Sequence, residues 1–181
     1  CPWVLGRAIR GVRNGSSPKW LQDRLRAVGL RPISALVDVT NWFTHDLGRP
    51  LHVFDVAKVR GGVLTLRPGR DGESFAALNG RTVAVGEVDL VIADEAGVQS
   101  LAGIVGGADT GCDETTTECF IECALFDPVR VALSGRRHGI HSDARARFER
   151  GVDPALLPAA LDAATRLVRE LCGGEASEVS Q

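Results

Sequence analysis

Apolar positions repeat with two different periods along this chain, and the change of period marks out its elements. Small and apolar residues alternate from Gly6 to Val12, which predicts a first strand. The turn formers Asn14-Gly15-Ser16-Ser17-Pro18 follow, placing Ser17 as an N-cap and Pro18 at the first helical position. Trp20, Leu21, Leu25 and Val28 then fall at helical spacing, and Gly29 stops the helix. Ile33 to Val39 is rich in β-branched residues and reads as extended; Thr40-Asn41 opens a second helical piece that ends near Gly48-Arg49-Pro50, leaving His52 just past a helix stop.

The middle of the chain is cut into short β runs: Val63 to Leu66, Phe75 to Leu78, Thr82 to Val85 and Leu90 to Ala93, with Asn79-Gly80 as a hairpin turn. Leu101 to Gly107 mixes small and apolar residues, and Thr115 to Phe126 resumes a strand pattern. The last helix is Ala155 to Cys172, where Leu156, Leu157, Ala160, Ala164, Leu167, Val168 and Leu171 form an apolar stripe. Pro158 is tolerable there because it falls in the first turn, and Gly173-Gly174 ends the helix. Helices at both ends and strands between them predict an α+β fold, β-rich layered sheets with helices packed outside. Residues 1–181 are expected to form a single composite domain with a helical C-terminal part at 154–173.

Composition changes this picture little. The 181 residues carry a formal net charge of −2, so any contact with nucleic acid must be local rather than a general electrostatic grip. Five cysteines are scattered without a CxxC pair or matching histidines, which predicts a reducing, cytoplasmic setting and no metal site. No apolar run is long enough to span a membrane. The chain starts at Cys1 and contains no Met, as expected for a piece of something longer.

Candidate chemistry sits in two places. Gly135 to Asp153 packs arginines, histidines and carboxylates around Phe148, a composition suited to a planar, anionic or carboxylate-bearing partner; Asp143, Glu149 and Asp153 neutralise the arginines most simply. Glu122 lies in an apolar strand, and alternation puts it on one face with Phe120, Ala124 and Phe126. Such a carboxylate must be paired, protonated or held for a ligand donor, and an ion pair with an arginine between Arg136 and Arg150 is an equal alternative. His52 fits a packed histidine bonded to Asp55, and Thr40-Asn41 fits a helix cap. The glycines at 103, 106 and 107 match no phosphate-binding loop, and no nucleophile elbow or HExxH motif appears.

Six segments taken in order carry a resemblance: Ser17 to Leu21, Gly29 to Ile33, Val37 to Asn41, Gly48 to Asp55, Leu101 to Gly107, and Ser142 to Asp153. Together they resemble the central region of bacterial phenylalanyl-tRNA synthetase beta subunits. The resemblance implies an editing region of two intertwined subdomains that hydrolyses mischarged tyrosyl-tRNA(Phe). It implies that Thr40, Asn41 and His52 lie near the ester end of the substrate and that Gly106 leaves room beside the amino acid. Glu122 would receive the phenolic hydroxyl, Ser142 and Ala144 would form another wall, and Arg31 would lie at the rim or touch tRNA. No protein nucleophile or metal is implied; a positioned water attacks, and backbone N–H groups of the Gly103 to Gly107 loop are candidates for the oxyanion. ATP and Mg2+ would serve the whole enzyme and no cofactor this domain, with tRNA(Phe), an alpha subunit and the other beta-subunit domains as partners in a tetramer of two alpha and two beta chains. The sequence departs from the family at Arg49, usually Gln; Trp42, usually Tyr; Val53, often Ala; Ser142, often Thr; and Arg145, usually small. A non-catalytic tRNA-positioning or subunit-packing module, and a free-standing trans-acting deacylase, are the alternatives.

Overall fold

Glycines, prolines and short polar stretches cut the chain into strands β1 (Trp3–Arg10), β2 (His52–Asp55), β3 (Thr65–Pro68), β4 (Ser74–Ala76), β5 (Thr82–Ala84), β6 (Leu90–Ala93), β7 (Val98–Leu101), β8 (Val105–Gly106), β9 (Glu118–Leu125) and β10 (Glu175–Ala176). Five helices accompany them: α1 (Lys19–Ala27), α2 (Ala35–Asp46), α3 (Pro128–His138), α4 (Asp143–Phe148) and α5 (Leu157–Cys172). The structure, a computed structural model, describes residues 3–181. The fold is α+β, with three antiparallel sheets in the orders β10-β1-β9-β2, β3-β6-β7-β8 and β4-β5.

Strand β9 organises the molecule. It pairs along its length with β1, from Trp3 opposite Leu125 to Arg10 opposite Glu118, and on its other edge with β2. Alternation sends its two faces into different cores. Cys119, Ile121 and Cys123 join Leu5, Ile9 and Val53 under α1, α2 and α5. Ala124, with Phe54 of β2 and Phe126 just beyond β9, joins Val91, Leu101, Val131 and Phe148 from the second sheet, α3 and α4. Helix α5 buries Leu157, Ala160, Leu161, Ala164, Val168 and Cys172 against the first sheet, about 1.5–3 kcal/mol for each large side chain.

Several boundaries differ from the sequence expectation, each for a tertiary reason. The β-branched run before Thr40 belongs to α2, not to a strand. Buried Asp38 accepts hydrogen bonds from Ile33 N (2.8 Å) and from the Ser17 hydroxyl, while Leu36, Val39 and Phe43 seat one helical face in the core. Packing outweighs propensity there. Thr40 therefore lies inside a helix rather than capping one. Ser17 serves Asp38 instead of capping α1, whose N-cap is Pro18. The final α-helix starts at Leu157 after a 3₁₀ turn at Pro154–Leu156, with Asp153 accepting from Ala155 N at 2.9 Å.

Candidate functional site

The register of β9 sets Glu122 between two neighbours, Gly6 on β1 and His52 on β2. Each has a steric reason for its identity. A Cβ on Gly6 would lie 2.0 Å from Phe120 Cζ, so only glycine lets that ring lie across β1 beside Glu122. The His52 ring stands edge-on to Phe54, with centroids 4.4 Å apart, and presses on Gly106, where a Cβ would meet His52 Cε1 at 2.4 Å. A cavity of about 70 Å³ opens here, lined by His52, Gly106, Glu122, Phe126, Ala144 and Phe148 with Pro50, Leu51 and residues of the β7–β8 hairpin. A second, largely apolar cavity of about 550 Å³ lies between the two sheets and shares Glu122 and Phe126 with the first.

Glu122 is 7% exposed and forms no hydrogen bond or ion pair through its side chain among the described residues. Burial pushes its carboxyl up to about 7, and the positive charge of Arg49 works in the opposite direction. Arg49 is wholly buried; its Nη2 donates to the Ala124 carbonyl, whereas Nε and Nη1 have no partner. The expected ion pair between Glu122 and an arginine of the 136–150 stretch is not formed. His52 as a residue is half-buried, but its Nε2 is sealed from solvent without a partner, and burial lowers the imidazole to about 4. The ring is thus neutral at pH 7. Its expected bond to Asp55 is also absent: Asp55 accepts from the Thr116 hydroxyl at 2.8 Å and lies 3.5 Å from Lys58 Nζ.

Of the residues singled out from the sequence, His52, Gly106, Glu122 and Ala144 meet around the smaller cavity. Ser142 is just outside its lining; its hydroxyl donates to the Ile104 carbonyl (2.7 Å) and accepts from Arg145 N (3.0 Å), capping α4 and tying it to the β7–β8 hairpin. Thr40 and Asn41 lie on α2 outside the lining, and the Thr40 hydroxyl donates to the Val37 carbonyl at 2.8 Å. Arg31 is exposed on the α1–α2 connection. In the glycine-rich hairpin the N–H groups of Ile104 and Gly107 donate to Leu101 and Gln99 carbonyls, so neither is free for an oxyanion.

The arginine-rich stretch is largely satisfied within the fold. Arg145 is buried, holds Glu149 at 2.9 Å and the Ile140 carbonyl at 2.6 Å, and lies across Gly135, where a Cβ would meet its Nε at 2.2 Å. Arg147 reaches Asp143 at 3.3 Å, and Arg150 reaches Glu149 at 3.4 Å. Arg137 and His138 hold buried Asp89 at 2.5 and 3.0 Å. Burial opposes ionisation of Asp89, but hydrogen bonds from Ser134, His138, Gly86 N and Arg137 together keep its carboxyl below the usual range. Helix α3 was legible yet missed: Asp127 caps it by accepting from Arg130 N, Pro128 stands at its first turn, and Gly139 ends it in the left-handed region. Arg49 was noted only as a departure; its complete burial has no signal in the sequence.

Layered sheets that share a central strand, with an acid-floored pocket on one face of that strand, define a small-ligand or ester-handling domain rather than a metal or nucleotide fold. The chain belongs to the B3/4 domain family, whose family model matches residues 1–173. It is 60% identical over 181 residues to the phenylalanine–tRNA ligase beta subunit of Gluconobacter oxydans (strain 621H), covering 100% of this chain and 22% of that protein. It is also 60% identical over 178 residues to the corresponding subunit of Paramagnetospirillum magneticum (strain AMB-1), covering 98% of this chain and 22% of that protein. The chain therefore spans about a fifth of the length of these curated relatives. A crystal structure of an N-terminal fragment of the phenylalanyl-tRNA synthetase beta subunit from Pyrococcus horikoshii has the same fold, with a TM-score of 0.61 and 15% identity over 97% of this chain and 46% of that one. No helix among the described residues is long and apolar enough to cross a membrane.

Proposed function

We propose that this chain is the editing domain of a phenylalanine–tRNA ligase beta subunit, and that its pocket hydrolyses the ester of tyrosyl-tRNA(Phe). The observation that carries the reading is Glu122, a buried carboxylate without a protein partner at the edge of an apolar cavity. Tyrosine differs from phenylalanine by one hydroxyl. A buried acceptor that the tyrosyl phenol satisfies and a phenyl ring leaves bare can discriminate by roughly 10⁴ to 10⁵. Gly106 and Ala144 leave space along the cavity wall, and Phe126 and Phe148 offer apolar surface to the ring. Neutral His52, with its unpartnered Nε2, is placed to orient a water or the ester rather than to carry charge. The attacking water bonds to the ester carbonyl carbon, the bond to the ribose oxygen breaks, and that oxygen takes a proton as tRNA leaves. Thr40, Asn41, Ser142 and Arg31 enter this reading through the family resemblance, as residues that approach the substrate from α2, α4 and the rim. ATP and Mg2+ belong to the charging reaction of the whole ligase, whose other partners are the alpha subunit and tRNA(Phe), assembled as two alpha and two beta chains in the cytoplasm.

The test is a deacylation assay with tyrosyl-tRNA and phenylalanyl-tRNA side by side, on the parent and Glu122→Ala. The parent should cleave the tyrosyl ester and spare the phenylalanyl ester, and the variant should lose that preference while remaining folded. Unchanged preference in the variant would remove Glu122 from the role assigned here.

A further inference from the structure

We propose that Arg49 is a specificity-determining residue of this pocket: sealed at the entrance to β2, its guanidinium is the counter-charge that keeps Glu122 an acceptor for a phenolic hydroxyl. This inference rests on the hydrolytic reading above and deepens it.

Arg49 lies one residue beyond a helix stop, where Gly48 turns the chain and Pro50 leads into β2. Its side chain is fully buried, with one donor on the Ala124 carbonyl and Nε and Nη1 left without partners among the described residues. A guanidinium does not lose its proton, so a permanent positive charge has been placed in the interior and needs a negative one nearby. Ala124 is two residues from Glu122 along β9, and both residues face the same core. The other neighbouring group, the Cys123 thiol, is itself pushed upward by burial and is neutral. Asp55 is engaged by Thr116 and Lys58. Glu122 is the remaining anion.

The separation between the two groups has chemical value. Because no ion pair forms, the guanidinium favours the carboxylate electrostatically while leaving its oxygens open to the cavity. The other groups facing Glu122 do not supply this charge. Opposite it stand neutral His52 on β2 and Gly6 on β1; across the cavity lie Ser100, Gly106, Ala144 and Phe148. Arg10 and Glu118, at the far mouth of the larger cavity, pair with each other at 2.8 Å.

The experiment measures tyrosyl-tRNA hydrolysis against pH in the full-length protein for the parent, Arg49→Gln, Arg49→Lys, Glu122→Gln and the double variant R49Q/E122Q, with thermal unfolding as the control on folding. Gln keeps a donor for the Ala124 carbonyl and removes only the charge. The parent should gain activity as Glu122 ionises; R49Q should need a pH higher by about one unit or more for the same fraction of its plateau, and R49K should restore the parent profile. In E122Q the midpoint disappears, and adding R49Q should not move the residual profile. R49Q and parent midpoints that coincide would overturn the inference while leaving the hydrolytic reading intact, whereas a parent that spares tyrosyl-tRNA would remove both. If R49Q is too unstable to assay, the double variant, which removes both charges, should regain folding; a double variant as unstable as R49Q would make Arg49 purely structural and refute the proposal.

Discussion

Replacing Glu122 by Gln tests whether an ionisable group really sits inside the apolar pocket, independently of any assay with tRNA. Burial lifts the carboxyl from its ordinary 4.5 to about 7 in the folded chain. Below pH 4.5 the group is protonated in both folded and unfolded chains and contributes nothing. Between 4.5 and 7 the unfolded chain releases a proton that the folded chain retains, so stability falls as pH rises; above 7 both forms are ionised and the loss is complete. At about 1.4 kcal/mol for each pH unit, that window amounts to about 3 kcal/mol. Gln has the same shape and cannot ionise. Urea unfolding of the parent and Glu122→Gln between pH 4 and pH 9 should therefore give a stability difference that grows in favour of the variant from pH 4.5, levels off above 7, and totals about 3 kcal/mol. The fixed offset between the proteins carries no information; the pH-dependent part does. A difference that stays flat across this range would show that Glu122 is solvated or permanently paired, and the pocket would lose its acceptor.

The remaining expectations concern the walls and the supports of the pocket. Gly106→Ala forces a Cβ to within 2.4 Å of the His52 ring; it should cost about 1–3 kcal/mol in unfolding experiments and suppress tyrosyl-ester hydrolysis. Ala144→Leu should fill much of the 70 Å³ cavity and reduce the same hydrolysis by about tenfold or more, measured beside an unchanged circular dichroism spectrum. His52, depressed from 6.5 to about 4, takes up a proton more readily when unfolded; its share of stability is lost on acidification from pH 6.5 towards 4, and its imidazole NMR signals should not titrate between pH 5.5 and 8. Asp89→Asn removes the charge that receives Arg137 and His138, and should lower stability by about 2 kcal/mol at pH 7.

The chemistry at Glu122 was legible because a strand imposes strict alternation: a glutamate in phase with Phe120, Ala124 and Phe126 has to share their environment, whatever the rest of the fold. The C-terminal helix was legible because its apolar stripe has one period throughout. The stretch before Thr40 was not, because its β-branched residues obey local preference only until a buried carboxylate, Asp38, organises Ser17 and the Ile33 amide around it. Asp89 illustrates the same limit. Its partners Arg137 and His138 lie almost fifty positions away, and nothing in the local pattern distinguishes it from a surface turn residue. The arginine-rich segment looked like a surface for recognition because charge is visible in a sequence, whereas intramolecular pairing over such distances is not.

Strand β9 places its odd-numbered residues Cys119, Ile121 and Cys123 among the helices and its even-numbered residues Phe120, Glu122 and Ala124 against the opposite layer. Because both edges of the strand are paired, a displacement at Cys123 has no slack to absorb it before Glu122. Enlarging that cysteine to leucine, a change nowhere near the cavity, would tilt the carboxylate and degrade substrate choice, so mutational tolerance in the helical layer is governed in part by the chemistry on the strand's far side.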